Sequence, residues 1–515
     1  MWCPAANRWL TGPLRSSRAR AAARHILALM TPPFAAEAAR ARSAQEAWAR
    51  RAARERLRPV RNLRALLVER GADIGAAIHA DVGRPAVEIA GSEVLPTAAA
   101  LKFLEKNAAR VLAPRRVSGT PVWLAGCRDA VHYRPWGIVG VIGTWNYPLY
   151  LNVGQITPAL VAGNAVLWKP SEVTPRVAEV IRALYREAGF PTDLLQVLPA
   201  TREAGPQLAE ADVDHVVFTG SDVVGRKLAA RLGERLVPST LELSGCDAMF
   251  VLGDANIEMA AKGVWFGLTI NRGQTCVAVR RVFVQRAKVD ALVAALRPLF
   301  ERAAPLGLVM DGQRVQAERL IEDAAKRGAA IFPAPRAGDG QANTPALRPT
   351  LLLNTPPDAA ICREACFAPV AAVVPFDTVD EALEMAKRSP FGLSASVFSA
   401  DVAAAEALAA RVPAGSVVIN DLLAPTAHPG SPFGGRGHSG WGLVQGPEGL
   451  LAMTCPQVVT VHNGSTRRHL DDAVNPDPAT AEILGGLIRL THGRGLRARL
   501  GGLWQMVRGV RKKRK

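Results

Sequence analysis

Three polar residues in apolar or loop-forming surroundings could carry carbonyl chemistry. Asn271-Arg272-Gly273-Gln274-Thr275-Cys276 puts a thiol where a polar, glycine-containing loop meets the apolar run 277–279. Such a junction can expose a thiolate, the form of sulfur that attacks carbonyls, although most lone cysteines are inert core residues. In Leu241-Glu242-Leu243 a carboxylate stands between two leucines. It is either the solvent face of an alternating strand or a base with a raised pKa. Gly143-Thr144-Trp145-Asn146-Tyr147-Pro148 closes a very apolar strand with one amide side chain, Asn146, which by itself could simply pair a backbone turn.

Two further segments suit a nucleotide. His215-Val-Val-Phe-Thr-Gly-Ser221 is a buried strand ending in Gly220, followed by Asp222-Val223-Val224-Gly225 and a helical run. A glycine at a strand end opening into a helix leaves backbone N–H groups and a positive dipole end for a pyrophosphate. The same arrangement also serves a purely structural turn. Lys169-Pro170-Ser171-Glu172 repeats the form, with Pro170 as helix starter; Lys169 and Glu172 could hold ribose hydroxyls or cap the helix.

The elements that must position these residues follow from periodicity. Residues 33–113 read as helices, with Leu63, Leu66, Leu67 and later Leu101, Phe103, Leu104 at helical spacing. A strand-like stretch, 117–133, is broken by Gly119 and Gly126. Apolar runs at 137–142, 165–169, 194–198 and 215–219 then alternate with helical segments, and a second alternating region runs from about 241 to 420. This is the pattern of an α/β fold with parallel sheets covered on both faces. At 515 residues the chain needs more than one packed unit.

The net charge of +18 belongs to the two ends. Five arginines precede Glu37, the first acidic residue, and ten basic residues follow Glu482, the last one. The body between is nearly neutral, which argues against nucleic acid as a partner. The seven cysteines are scattered, as expected for a reducing, cytoplasmic setting rather than a disulfide framework. Cys362 and Cys366 lack a second ligand pair at metal spacing, so no metal is expected. No uncharged apolar stretch of membrane-spanning length occurs. A secretory signal is not evident at the start, whereas a basic transit peptide stays open there.

Taken in order, the segments resemble the aldehyde dehydrogenase superfamily over about residues 33–463. The resemblance is carried by Thr144–Pro148, Lys169-Pro170-Ser171-Glu172, Phe218-Thr219-Gly220-Ser221, Leu241-Glu242-Leu243 and Gly273-Gln274-Thr275-Cys276, then Phe367 with Pro369-Val370, and Pro432-Phe433-Gly434-Gly435 with Ser439-Gly440. The run Gly-Gln-Thr-Cys-Val and His428 look most like the class 3 and fatty-aldehyde branch. The resemblance implies a Rossmann-type cofactor domain over 33–241, with a strand pair at 117–134 in a β oligomerisation flap. It further implies a catalytic domain over 242–440 and a return segment with an oligomerisation strand over 441–463. Outside these lie a basic extension, 1–32, and a basic tail, 464–515. A homodimer is the implied assembly.

The implied chemistry is oxidation of an aldehyde to an acid. Cys276 adds to the carbonyl, Asn146 and the Cys276 backbone N–H hold the oxyanion, and Glu242 activates water to hydrolyse the thioester. NAD is the implied cofactor, with Lys169 and Glu172 at the adenosine ribose and Gly220, Ser221 and Gly225 near the phosphates. Ile142, Trp145, Ser171 and Phe367 are also implied contacts. Glu172 would repel a 2′-phosphate and favours NAD, while NADP stays open. The sequence departs from the family where a glutamate usually grips the nicotinamide ribose: Ala365 stands there, and Glu364 is one residue early. Ser244 and Cys246 also replace a usual glycine and lysine. Two other readings remain, an acyl-thioester reductase and a catalytically impaired membrane-associated scaffold.

Beyond Asn463 the resemblance stops. Leu496, Leu500, Leu503, Trp504, Val507 and Val510 share one helical face, with arginines around it and Lys512–Lys515 following. This predicts an interfacial helix on an anionic membrane, hence peripheral association and a hydrophobic, long-chain aldehyde. Five glycines between 493 and 509 argue instead for a loose tail.

Overall fold

The computed structural model describes residues 32–334, 345–464, 470, 473–474 and 476–513. The basic extension expected over 1–32 therefore lies outside the described residues except for Pro32, as do Arg514 and Lys515 of the tail.

One compact unit comprises residues 32–113 and 133–456 of the described chain. Its first sheet contains β1 (Ile138–Ile142), β2 (Ala165–Lys169), β3 (Leu195–Val197), β4 (His215–Gly220) and β5 (Ser239–Leu243). They lie parallel in the order β5-β4-β1-β2-β3, and Gly440–Trp441 adds an antiparallel edge beside β5. Every residue of β1 and β2 is buried, as apolar runs without alternation require when both faces are covered. Helix α1 (Tyr150–Ala162) crosses from β1 to β2 with ten of its thirteen residues buried, so it is a core helix with no solvent face. Helix α2 (Asp222–Glu234) links β4 to β5. The helices Ala35–Ala49, Ala53–Glu69 and Leu95–Val111 pack into the same core through Trp48, Leu63, Leu67 and Leu104.

The second sheet holds β6 (Asp247–Val251), β7 (Val279–Gln285), β8 (Ala330–Phe332), β9 (Thr350–Leu353), β10 (Val370–Phe376), β11 (Ser394–Phe398) and β12 (Ser416–Ile419), ordered β8-β9-β10-β7-β6-β11-β12. Only β8 runs antiparallel. Helix α3 (Asp311–Lys326) packs on this sheet through Ala317, Leu320 and Ala324. The expected α/β architecture, a Rossmann-type sheet followed by a second α/β layer, is what the chain adopts.

In the first sheet the chain order reverses between β1 and β4. Open parallel sheets bind ligands outside the carboxyl ends of strands at such a switch point. Thr144–Asn146 and Gly220–Ser221 leave the sheet there.

The other unit comprises 114–132 and the described part of 457–515. The strand-like stretch expected over 117–133 is shorter than its sequence suggests. Extended pairing joins Arg115–Arg116 to a strand that starts at Cys127, while Val122–Leu124 form a single 3-10 turn. Gly119 (φ 77°) and Gly126 (φ 93°) take left-handed backbone, which interrupts a strand. The strand Thr454–His462 completes a three-stranded sheet. The tail forms a helical hairpin, α4 (Pro478–His492) and α5 (Leu496–Lys513), where the sequence suggested a single helix.

Candidate active site

Cys276 follows a turn of unusual backbone. Asn271 (φ 47°), Arg272 (φ 60°) and Gly273 (φ 75°) are all left-handed, and the two non-glycine residues each cost about 1 kcal/mol or more in that region. Side chains from several elements hold the turn in place. Asn271 Nδ2 donates to the carbonyls of Asn146 (3.0 Å) and Gln274 (3.0 Å). Arg272 reaches the carbonyls of Val82 (3.0 Å) and Gly83. The buried Arg280, on β7, donates to Gly273 O and, at 2.6 Å, to Ala368 O. A Cβ on Gly273 would sit 2.5 Å from the Ala368 backbone, so only glycine fits. The buried Gln274 donates to Asn271 O and accepts from Val309 N.

Asn146 lies beside this turn, 4% exposed. Thr144 Oγ1 donates to Asn146 Oδ1 at 2.9 Å, which fixes the amide so that Nδ2 faces Gln274 O at 3.3 Å. The Asn146 carbonyl accepts from Arg84. Arg84 is itself paired with Glu93 at 2.5 Å, and both side chains are buried. Glu93 also accepts the N–H groups of Leu149 (3.1 Å) and Tyr150 (2.8 Å) where α1 begins. A carboxylate is well placed at a helix N-terminus. One buried ion pair thus fixes both the start of α1 and the Asn146 backbone.

Glu242 projects from β5 toward the thiol. Cys276 Sγ donates to Glu242 Oε1 at 3.6 Å, and Thr219 Oγ1 donates to Oε2 at 3.3 Å. Gln155 Nε2, from α1, donates to that hydroxyl at 2.6 Å. Burial pushes the Glu242 carboxyl up to about 7, with the hydrogen bonds from Cys276 and Thr219 holding it back. Burial, then the nearby negative charges of Glu242 and Asp247, push the Cys276 thiol well above its ordinary range. Ser439 and Gly440 lock β5 from outside: Leu243 N donates to Ser439 O, Ser439 Oγ donates to Ser244 O, and a Cβ on Gly440 would lie 2.0 Å from Leu241 O. The departures at Ser244 and Cys246 leave this loop ordered: both are buried, and Cys246 Sγ donates to Ile361 O.

A cleft of about 520 Å³ opens over these groups. Trp145, Asn146, Gly220, Ser221, Glu242, Cys276 and Phe367 all border it, with the Trp145 and Phe367 rings 6.2 Å apart. The structure therefore brings together seven of the twelve residues singled out. The other five lie at or just beyond the carboxyl ends of the same sheet's strands but outside this cleft. Ile142 and Lys169 end neighbouring strands in register. Ser171 Oγ accepts from Val173 N, and Gly225 packs against Leu243, whose Cδ2 would be 2.5 Å from an added Cβ. Glu172 accepts from Lys169 Nζ (2.9 Å) and Arg202 Nε (3.2 Å). Burial pushes the Glu172 carboxyl up, but a backbone N–H, Lys169 and Arg202 outweigh it and leave the group below its usual value.

A family model for the aldehyde dehydrogenase family matches residues 32–459. The chain belongs to the aldehyde dehydrogenase family. It is 32% identical over 425 residues to 4,4'-diapolycopene aldehyde oxidase of Methylomonas sp, covering 81% of this chain and 79% of that protein. Among solved structures it resembles a Mycobacterium tuberculosis aldehyde dehydrogenase complexed with NAD+ (TM-score 0.78, 30% identity, 84% of this chain and 90% of that one). A Bacillus cereus aldehyde dehydrogenase in its NAD+ complex is similar too (TM-score 0.78, 28% identity, 83% and 88%). As a member of this family the protein is an enzyme of aldehyde oxidation.

One of the departures expected from the resemblance, Ala365, lies at the rim of the cleft. Ala365 presents only a methyl group, and the Glu364 carboxylate is taken by Arg319. The segment is nevertheless pinned from α3: Gln316 Nε2 donates to Ala365 O at 2.9 Å and Gln313 Nε2 to Phe367 O at 3.0 Å. Those glutamines, Arg84 with Glu93, Gln155, Arg202 and Arg280 were not singled out from the sequence. Arg280 had a signal, a charge inside an apolar strand. Cys362 and Cys366 are core residues of the second sheet.

Proposed function

We propose that this enzyme oxidises a hydrophobic aldehyde to its carboxylic acid through a thioester on Cys276, with NAD as cofactor. The observation that carries this reading is the approach of Cys276 Sγ and Glu242 Oε1, 3.6 Å apart in a buried site beside the Asn146 amide. Cys276 sulfur adds to the aldehyde carbon. The thiol proton leaves to solvent as the C–S bond forms, so the Glu242 carboxylate stays free to act as the base of the later hydrolysis. Asn146 Nδ2 carries two hydrogens, so its bond to Gln274 O leaves one for the oxyanion, as does the Cys276 backbone N–H. After oxidation to the thioester, Glu242 takes a proton from water, the hydroxide attacks the acyl carbon, and the acid leaves Cys276 as thiolate.

The cleft fits NAD. It sits at the switch point of the first sheet, with the start of α2 (Ser221, Asp222, Val223) on its wall and Arg226 beside it, and Lys169 and Glu172 lie further along the strands' carboxyl ends. NAD, when bound, supplies the hydride acceptor. Trp145 and Phe367 would flank it, and Gly220 and Ser221 would meet its phosphates.

A hydrophobic substrate is supported by a second, narrow pocket that reaches Glu242. Its walls include Leu101, Phe103, Leu104, Leu151, Val153 and Pro158. Gly154 also borders it, and a Cβ there would meet nothing within 4 Å. The name of the Methylomonas relative, an oxidase of 4,4'-diapolycopene aldehyde, points the same way, whereas relatives of equal identity are named putative succinate-semialdehyde dehydrogenases (NADP+). The pocket and not the names therefore carries the hydrophobic reading. The proposed homodimer would use the strand Thr454–His462, where Val458, Val459 and Val461 are exposed.

The test is reduction of NAD+ followed by absorbance across aldehydes of increasing chain length. Turnover that rises with chain length, and vanishes in Cys276→Ser, is expected. A preference for short, charged aldehydes, or turnover surviving in Cys276→Ser, would contradict the reading.

A further inference from the structure

Helices α4 and α5 pack in an inverted way. A water-soluble hairpin buries its leucines between the helices and turns its charges outward. Here the contact is made by glycines. A Cβ on Gly486 would lie 2.4 Å from Met506 N, one on Gly502 2.5 Å from Leu490 N, and one on Gly509 2.7 Å from Ile483 Cγ1. Backbone meets backbone, as small residues allow in helix pairs.

The apolar side chains of α5 are consequently left outside. Leu496, Leu500, Leu503, Trp504 and Val507 are 41–78% exposed. They fall within an arc of about 100° at the helical repeat. On α4, Leu484 and Ile488, one turn apart, are exposed as well. Arg497 and Arg508 border the α5 stripe on one side and Arg499 on the other, while the Arg508 guanidinium lies over the Trp504 ring, 5.5 Å from its centroid. From 478 to 513 the hairpin carries eight basic residues and one acidic one, Glu482, which pairs with Lys512 (2.8 Å) and Arg508 (3.8 Å) and leaves a strongly positive balance. No helix among the described residues is long and apolar enough to cross a membrane.

We infer that this hairpin lies flat on an anionic lipid bilayer, with the Leu496–Val507 stripe in the headgroup boundary and the flanking arginines on the lipid phosphates. Charge complementarity selects this occupant. A second copy of the chain would set one set of arginines against an identical one. The inference rests on the hairpin alone and does not depend on the thioester chemistry. It also gives the glycines, which weaken an isolated helix, a reason to be there: they hold the hairpin shut without using the stripe.

The test is flotation of the full-length chain with vesicles of phosphatidylcholine alone, and of phosphatidylcholine with phosphatidylglycerol at about three to one. The wild type is expected to float with the mixed vesicles only and to be released by salt. Leu500→Ser with Trp504→Ser, and separately Arg497→Gln with Arg499→Gln and Arg508→Gln, should each lower the bound fraction about tenfold. Unchanged oxidation of a water-soluble aldehyde and unchanged circular dichroism would show that the variants are folded. Failure of the wild type to float, or equal flotation of the stripe variant, would overturn the inference. So would a stripe variant that changes the oligomeric state in sizing while still floating, since the stripe would then cover another copy.

Discussion

The floor and the rim of the cleft are built to different standards. At the floor, Cys276 follows three left-handed residues, and that turn is held by Asn271, Arg272, Gln274 and Arg280. At the rim, Ala365 is tied down through its carbonyl by Gln316 but offers no side-chain acceptor of its own. The floor stores strain and surrounds it with partners, as reactive sites do. The rim keeps its backbone in place and gives up one polar contact. Under the proposed mechanism this difference would separate the two halves of the reaction, with a full set of groups for making and breaking the thioester and a lighter grip on the cofactor.

That contrast can be broken hardest at the floor. Cys276→Ala should reduce turnover by on the order of a thousandfold or more, with cofactor affinity by fluorescence titration unchanged. Asn146→Ala should lower kcat by about a hundred- to a thousandfold through loss of an oxyanion donor, with little change in KM. Titration comes next. Because burial raises the Glu242 carboxyl to about 7, its base form is lost below that pH and gained above it. The kcat profile should therefore rise with pH through about 7, and Glu242→Gln should flatten that limb. The smallest effect is expected at the rim. Ala365→Glu should lower the KM for NAD+ by a few-fold, about 1 kcal/mol of added binding, and leave the acyl-transfer steps alone. Unchanged steady-state constants and single-turnover rate would show that the rim is not the weaker half.

Much of this was legible in the residues themselves. The apolar runs at β1, β2 and β4 are buried strands because nothing in them alternates. Glu242, set between leucines, is a buried carboxyl rather than the solvent face of a strand, because Cys276 and Thr219 lie against it. Other features were hidden by distance along the chain. Arg84 and Glu93 look like ordinary charges of a helical region until α1 is folded against them. The tail misleads for a different reason. Helix propensity treats Gly486, Gly502 and Gly509 as weak points, but tertiary contact overrides propensity, and these are where α4 and α5 touch. Val122–Leu124 fold as a turn because the left-handed glycines at 119 and 126 outweigh the β propensity between them.

The central claim is that Cys276 carries the acyl group and Glu242 removes it. Glu242→Gln, mixed with aldehyde and NAD+ and quenched in acid, should accumulate one acyl group on the peptide containing Cys276, read by mass spectrometry, together with a single-turnover burst of NADH. Finding the acid released at the wild-type rate, or no acyl mass on that peptide while NADH forms, would contradict it.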